Sequence, residues 1–371
     1  MRVVICGGGV IGASTAYYLS RRDGVDVTLV ERTAVAFASS GKAGAFLALD
    51  WNAGSRLDAL ARRSFDLHTR LPDEIDADWG FHRLTTYGGY TVPEHAARGR
   101  PGADLPWLAE SVVLSNQIGS HQTTAALHPR LFTEALVNAA RARGAALRIG
   151  QVTGIVRQDD AARVRGVQVD GDLVEADAVV IAMGPWSILA AGWLPLPGVF
   201  AYKGHSLLFE TGTTVSPDAL FLEVQDPSGA VLSPEVFPRA DGTTYVAFSS
   251  SQDPLPLDPA DVTPDPQAIA QLEALCHRLS PALAPSQIIA RQACYRPVTR
   301  DGLPLIGRVP GIEGAYVATG HSVWGVLNGP ATGEALAELI VDGAALTTDL
   351  RPFDPGRLRP LDPLERSWVE R

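Results

Sequence analysis

The chain has 371 residues, 46% of them hydrophobic and 19% charged, and a formal net charge of −10. That is ordinary globular material, long enough for two domains, and its acidic balance speaks against nucleic acid or an anionic membrane as partner. No apolar run reaches membrane-spanning length, and Cys6, Cys276 and Cys294 are too scattered for a disulfide framework or a metal site.

Residues 3–6 form a short apolar run suited to a buried parallel strand, and Gly7, Gly9 and Gly12 follow with G-x-G-x-x-G spacing as the chain enters a helix through Val10 and Ile11. Gly7 allows the tight turn, Gly9 lets backbone approach a pyrophosphate, and Gly12 lets the helix lie close on the strand. The next strand, 25–30, delivers Glu31 about twenty residues beyond the last glycine, where a carboxylate accepts from ribose hydroxyls. Glu31 would repel a 2′-phosphate, although Arg32 stands beside it. The motif begins at residue 2, which leaves no space for a signal peptide, so the expected location is the cytoplasm.

The small, polar segment 38–46, including Ser39, Ser40, Gly41, Lys42, Ala43 and Gly44, runs on into the apolar stretch 46–51 and reads as ligand-facing. Residues 55–69 read as an amphipathic helix, 79–92 as strands around Gly88-Gly89, and 93–106 as a loop. A helix is expected over 131–143, with Pro129 in its first turn. After two hairpin-like stretches, the apolar strand ending at 182 leads into Gly184-Pro185-Trp186 and returns to the nucleotide-binding sheet. Residues 194–293 carry short β-rich stretches broken by Pro and Gly, which read as an antiparallel sheet with one helical segment, 266–279, outside it. The final third carries Arg-Pro-Val-Thr-Arg-Asp-Gly-Leu-Pro from Arg296, then Gly320-His321 and a helix expected from 331 to 341, with Asn328 as its cap and Pro330 in its first turn.

With these motifs the chain resembles the D-amino-acid-oxidase-like FAD-dependent oxidoreductases, the group that contains glycine oxidase and monomeric sarcosine oxidase. The resemblance covers nearly the whole chain. Residues 44–47 and 324–328 look most like a poorly characterised branch of oxidoreductases without an assigned substrate. It implies an α/β fold: a Rossmann-type, glutathione-reductase-like FAD-binding domain made discontinuously from 1–50, 129–190 and 294–371. An inserted antiparallel-sheet substrate domain would take 51–128 and 191–293. By the same resemblance Gly7, Gly9, Val10, Ile11, Gly12, Glu31 and Arg32 hold the ADP half of FAD, and Val152, Gly184 and Trp186 flank its adenine end. The 39–44 segment runs along the diphosphate and ring. Gly320, Trp324, Gly325, Val326, Leu327 and Arg296 border the isoalloxazine, where backbone N–H groups and a helix dipole would stabilise negative charge.

The function implied is an FAD-dependent oxidase that takes a hydride from the carbon next to an amine, in an amino acid or secondary amine, and gives an imine and hydrogen peroxide with molecular oxygen. The alternatives are a flavin dehydrogenase of a hydroxy acid or amine using another acceptor, and a non-catalytic flavin-binding interaction protein. Arg296 matches the arginine that binds a substrate carboxylate in glycine-oxidase-like members; its other reading is an ion pair with Asp301. A second arginine of those members is replaced here by Val323, with Trp324 next, which favours a bulkier or more apolar amine. His205 and Lys203 are candidates to face the ring, and Trp51 and Tyr245 to wall the pocket. Non-covalent FAD is expected; the alternative is a thioether to Cys294, near the cysteine that tethers flavin in sarcosine-oxidase-like members.

Overall fold

The computed structural model describes residues 1–92, 104–158, 162–226 and 229–362. Most of the expected 93–106 loop, and the last nine residues of the chain, lie outside the described residues. Two large sheets organise the rest. The first has six strands in the order Leu305–Arg308, Ala315–Thr319, Ala178–Ile181, Arg2–Cys6, Asp26–Glu31, Ala146–Ile149. All its pairings are parallel except that of the edge strand Leu305–Arg308. Such strands are buried on both faces, hence the unbroken apolar text at 3–6. Val3 and Ile5 join the core shared with the helices Val10–Leu19, Pro129–Ala142 and Gly325–Val341. Val4 and Cys6 face the opposite way, towards Val164, Val167 and Val169, which belong to a three-stranded antiparallel sheet of Val152–Arg157, Val164–Val169 and Asp172–Glu175.

The second large sheet has eight strands, among them Thr86–Thr91, Val112–Gly119, Val199–Glu210, Ala219–Gln225, Glu235–Pro238, Thr243–Ser251 and Gln287–Thr299. It is antiparallel but for one pair, Ala219–Gln225 with Thr86–Thr91. The strand Gln287–Thr299 runs continuously through 294, so the boundary expected at 293/294 falls inside a strand and Arg296 belongs to this sheet. The helix Pro266–Leu279 packs its Ile269, Leu272 and Leu275 against one face, on Leu207, Phe209, Val246 and Phe248. The other face turns towards the first sheet. Between them lies a small sheet of Phe46–Ala48, Thr124–Ala126 and His82–Arg83.

The last helix departs from the sequence expectation. It starts at Gly325, not at 331, so Asn328 is buried inside it and Pro330 sits in its second turn. A proline there lacks the N–H that would bond to Val326 O. The adjacent helix, Asp58–Glu74, supplies the remedy: His68 Nε2 lies 2.9 Å from Val326 O and 3.1 Å from Leu327 O, and Ser64 Oγ accepts from Ala331 N at 3.1 Å. Long-range partners thus let the helix run through a residue that reads locally as its beginning.

Candidate functional site

A cavity of about 480 Å³ lies between the two large sheets, lined from Gly7, Gly9 and Glu31 at one end to Phe221, Glu235 and Arg296 at the other, with Trp324, Gly325 and Val326 along its side. Its size is that of a small-molecule or cofactor pocket.

The first end is built by the opening turn. Gly7 has φ +113°, and a Cβ there would stand 2.4 Å from Ala182 O; a Cβ at Gly12 would stand 1.9 Å from Gly7 O. No side chain larger than hydrogen fits either position. Gly12 itself does not line the cavity; it brings helix onto strand. Gly9 caps the helix without a side-chain hydrogen bond, while Val10 N donates to Ser40 Oγ at 2.9 Å. The Glu31 carboxylate accepts from Gly8 N at 2.7 Å and from Thr33 N at 2.9 Å, which fixes it against the turn; burial nevertheless raises its pKa. Arg32 also lines the cavity, but its guanidinium is paired with Asp258 at 2.9 Å and donates to Leu257 O. Val152, Gly184 and Trp186 line the same end.

From the 39–44 segment, Ser39, Ser40, Ala43 and Gly44 line the cavity and Gly41 and Lys42 do not. Ser39–Lys42 is a single helical turn; Lys42 Nζ is drawn to Ala293 O at 3.2 Å, and Ser39 Oγ donates to Tyr295 O at 2.5 Å. These two bonds tie the nucleotide-side loop to the large sheet.

On the side formed by the last helix, Gly320, Trp324, Gly325 and Val326 line the cavity; Leu327, expected there, is buried behind them with its carbonyl near His68. His321 Nε2 lies 3.1 Å from Thr332 Oγ1, and burial holds its pKa down to about 3, so the ring is neutral.

The far wall is one face of the large sheet. Register places Phe221 opposite Glu235, Glu235 opposite Ala247, and Ala247 opposite Ser206. Two residues along, Gly204 lies opposite Cys294, and Arg296 follows on the same face. Its guanidinium lies 3.6 Å from where a Gly204 Cβ would be. Arg296 is not paired with Asp301, whose carboxylate is held by Arg357 at 2.8 Å. Trp51 packs on Phe46 and Phe221 with ring centroids 4.9 and 4.7 Å away and meets Trp324 edge-on, so the expected wall at Trp51 is part of an aromatic lining that includes Phe237 and Tyr245.

Strand alternation turns Lys203 and His205 the other way. Lys203 does not line the cavity and its ammonium lies 3.5 Å from Asp253. His205 borders the cavity, but its Nε2 accepts from Asp265 N at 3.0 Å, at the start of the helix on the sheet's opposite face. That bond occupies the lone pair a base would need. Glu235, which the sequence reading passed over, does face the cavity; the signal was a lone acid in an apolar strand, legible only once the register is known.

A sequence profile described as FAD dependent oxidoreductase matches residues 2–339. The chain belongs to that family. It is 30% identical to a glycine oxidase of Pseudomonas aeruginosa over 383 residues, covering 96% of this chain and 99% of that one. It is 29% identical to a presumed oxidoreductase of Schizosaccharomyces pombe, covering 95% and 97%. The crystal structure of glycine oxidase from Geobacillus kaustophilus superposes with a TM-score of 0.79 at 26% identity, covering 96% and 99%. The fold is therefore the Rossmann-type FAD-binding α/β architecture with an added sheet, and the protein is an FAD-dependent oxidoreductase. The glycine turn, backed by Ala182, and the anchored Glu31 carboxylate fit the ADP half of FAD. Among the described residues no group of His, Cys, Asp and Glu could hold a metal ion, and no helix is long and apolar enough to cross a membrane.

Proposed function

We propose that the protein oxidises the carbon next to the nitrogen of a carboxylate-bearing amine to an imine, with molecular oxygen as final acceptor and hydrogen peroxide as product. The reading rests above all on one observation: Arg296, with no ion-pair partner among the described residues, lines the same cavity as the start of the last helix. FAD supplies the hydride acceptor when bound. The backbone of Gly7 and Gly9, with Glu31, holds its nucleotide half, and Ser39, Ser40, Ala43 and Gly44 run beside the rest. Gly325 and Val326 present helix N-terminal N–H groups, and the helix dipole there favours the negative charge that develops on reduction. Arg296 takes the substrate carboxylate through its planar fork, and Trp324 with Trp51 sets the shape available to the remainder. The aromatic walls keep water from the reacting carbon.

FAD is held without a covalent bond in this reading. Cys294 lines the cavity, but burial raises its thiol pKa in spite of nearby Arg296 and Lys42, which disfavours the thiolate that attachment needs. Acid precipitation should therefore release all flavin absorbance into the supernatant.

The deciding experiment is an aerobic panel of amines and amino acids scored for peroxide. Peroxide formed in step with substrate loss supports the oxidase. Anaerobic bleaching by a substrate, with slow recovery in air, would instead assign the chain to dehydrogenases.

A further inference from the structure

At the far end of the cavity Arg296 has a charged companion, Glu235. Glu235 is half-buried on the Glu235–Pro238 strand and faces the cavity between Phe221 and Ala247. Its carboxylate forms no hydrogen bond or ion pair with any described residue; burial raises its pKa, and the charge of Arg296 acts against that. Arg296 and Glu235 stand more than an ion-pair distance apart, and the residues whose register carries the wall from one to the other, Ala247, Ser206 and Gly204, are small. A desolvated carboxylate without a partner costs stability, and such groups are retained where a ligand completes them.

We propose that Glu235 accepts the cationic nitrogen of the substrate while Arg296 holds its carboxylate, so that the substrate class is a zwitterionic amino acid whose apolar part lies on Trp51 and Phe221. The inference rests on the carboxylate-binding reading of Arg296. The geometry demands opposite charges at the two ends of a short floor with an aromatic wall beside Glu235, and an amino acid with a large apolar side chain supplies all three. Glu235 then has a chemical task as well. A proton passes from the substrate ammonium to a Glu235 carboxylate oxygen, leaving the amine neutral with its lone pair free to form the C=N bond as the hydride departs. The proton afterwards returns from the carboxyl group to solvent, so the carboxylate is regenerated.

Three probes separate the two charges: 3-phenylpropanoate carries only the carboxylate, 2-phenylethylamine only the ammonium, and racemic phenylalanine both. The dissociation constants of the first two are measured on the FAD-loaded protein by perturbation of the flavin absorbance and, independently, by calorimetry; for phenylalanine, which the enzyme would oxidise, the affinity is the half-saturating concentration for anaerobic flavin bleaching. In wild type, phenylalanine should bind tightest. Glu235→Gln, which keeps the shape, should weaken 2-phenylethylamine and phenylalanine about tenfold or more and leave 3-phenylpropanoate unchanged or tighter. Arg296→Lys should weaken 3-phenylpropanoate and leave 2-phenylethylamine unchanged. Glu235→Asp, which keeps the charge on a shorter stem, should recover part of the ammonium affinity. Amine affinity indifferent to Glu235→Gln, with 3-phenylpropanoate still dependent on Arg296, overturns this inference alone. The converse pattern overturns the carboxylate reading of Arg296 alone. Equal weakening of all three probes by Glu235→Gln would make Glu235 a structural residue, and a wild type that binds none of them overturns both readings.

Discussion

Arg296 and Gly7 show the two ways a single residue makes this site. Arg296 contributes a fork of fixed geometry with no ion-pair partner among the described residues, Asp301 being held by Arg357. Lysine keeps the charge and loses the fork. Arg296→Lys should therefore raise KM for carboxylate substrates roughly tenfold or more with an unchanged flavin spectrum; steady-state kinetics showing equal KM would remove the carboxylate role. Gly7 contributes an absence. Its φ of +113° is unsuited to an L side chain, and the atom a Cβ would meet at 2.4 Å is a backbone oxygen that cannot step aside. Gly7→Ala should cost at least about 1–3 kcal/mol of stability and abolish FAD retention, read as denaturation midpoint and flavin content per protein. Gly7 was legible in the sequence because its task is carried by residue type and local spacing; Arg296 was singled out there only through the family's motif. Glu235 was not, for a lone acid says nothing until its face of the strand is known; for the same reason the sequence could not show that Lys203 turns to Asp253, nor that His205, though it borders the cavity, bonds to Asp265 N.

Among elements, the helix Gly325–Val341 shows why local signals misplace boundaries. Asn328 and Pro330 read as a helix start, and an isolated peptide would have no reason to extend the helix backwards across the proline. The tertiary structure has one, because His68 and Ser64 bond to the groups that Pro330 leaves free and to its neighbours. His68 donates from Nε2 to these carbonyls, and burial keeps the ring neutral. Burial, opposed by the Val326 and Leu327 carbonyls, lowers its pKa from the ordinary 6.5 to about 4. The unfolded chain thus takes up the proton more readily than the folded one. The stabilisation is complete above the unfolded value of 6.5 and is lost as pH falls towards 4. His68→Phe should lower stability at pH 7 by about 1–3 kcal/mol by stranding two carbonyls and should flatten the pH dependence across that window. Urea midpoints at several pH values check both; a variant with the wild-type slope would show that another group carries the acid loss.

For the whole molecule, the cavity exists only because two sheets face each other, one presenting Gly7 and Glu31 and the other Glu235 and Arg296. A cofactor held by both binds the native state alone, so FAD at a hundred times its Kd should add about 2.7 kcal/mol to stability. Thermal melts of the apoprotein with increasing FAD should shift upward continuously. A Tm indifferent to FAD would mean that the cavity is not its site. The sequence by itself determined the opening β-α-β unit, the acid that ends it, most of the helices and the family's motifs. Each of these is written in contiguous residues whose spacing and propensity act locally. Only the tertiary structure decided which polar side chains enter the cavity, where the last helix begins, and that Arg296 belongs to the large antiparallel sheet. In a strand a shift of one residue reverses the face, and a helix end can be completed by partners more than 250 residues away. Neither the register nor the distant partner can be read from the neighbouring residues.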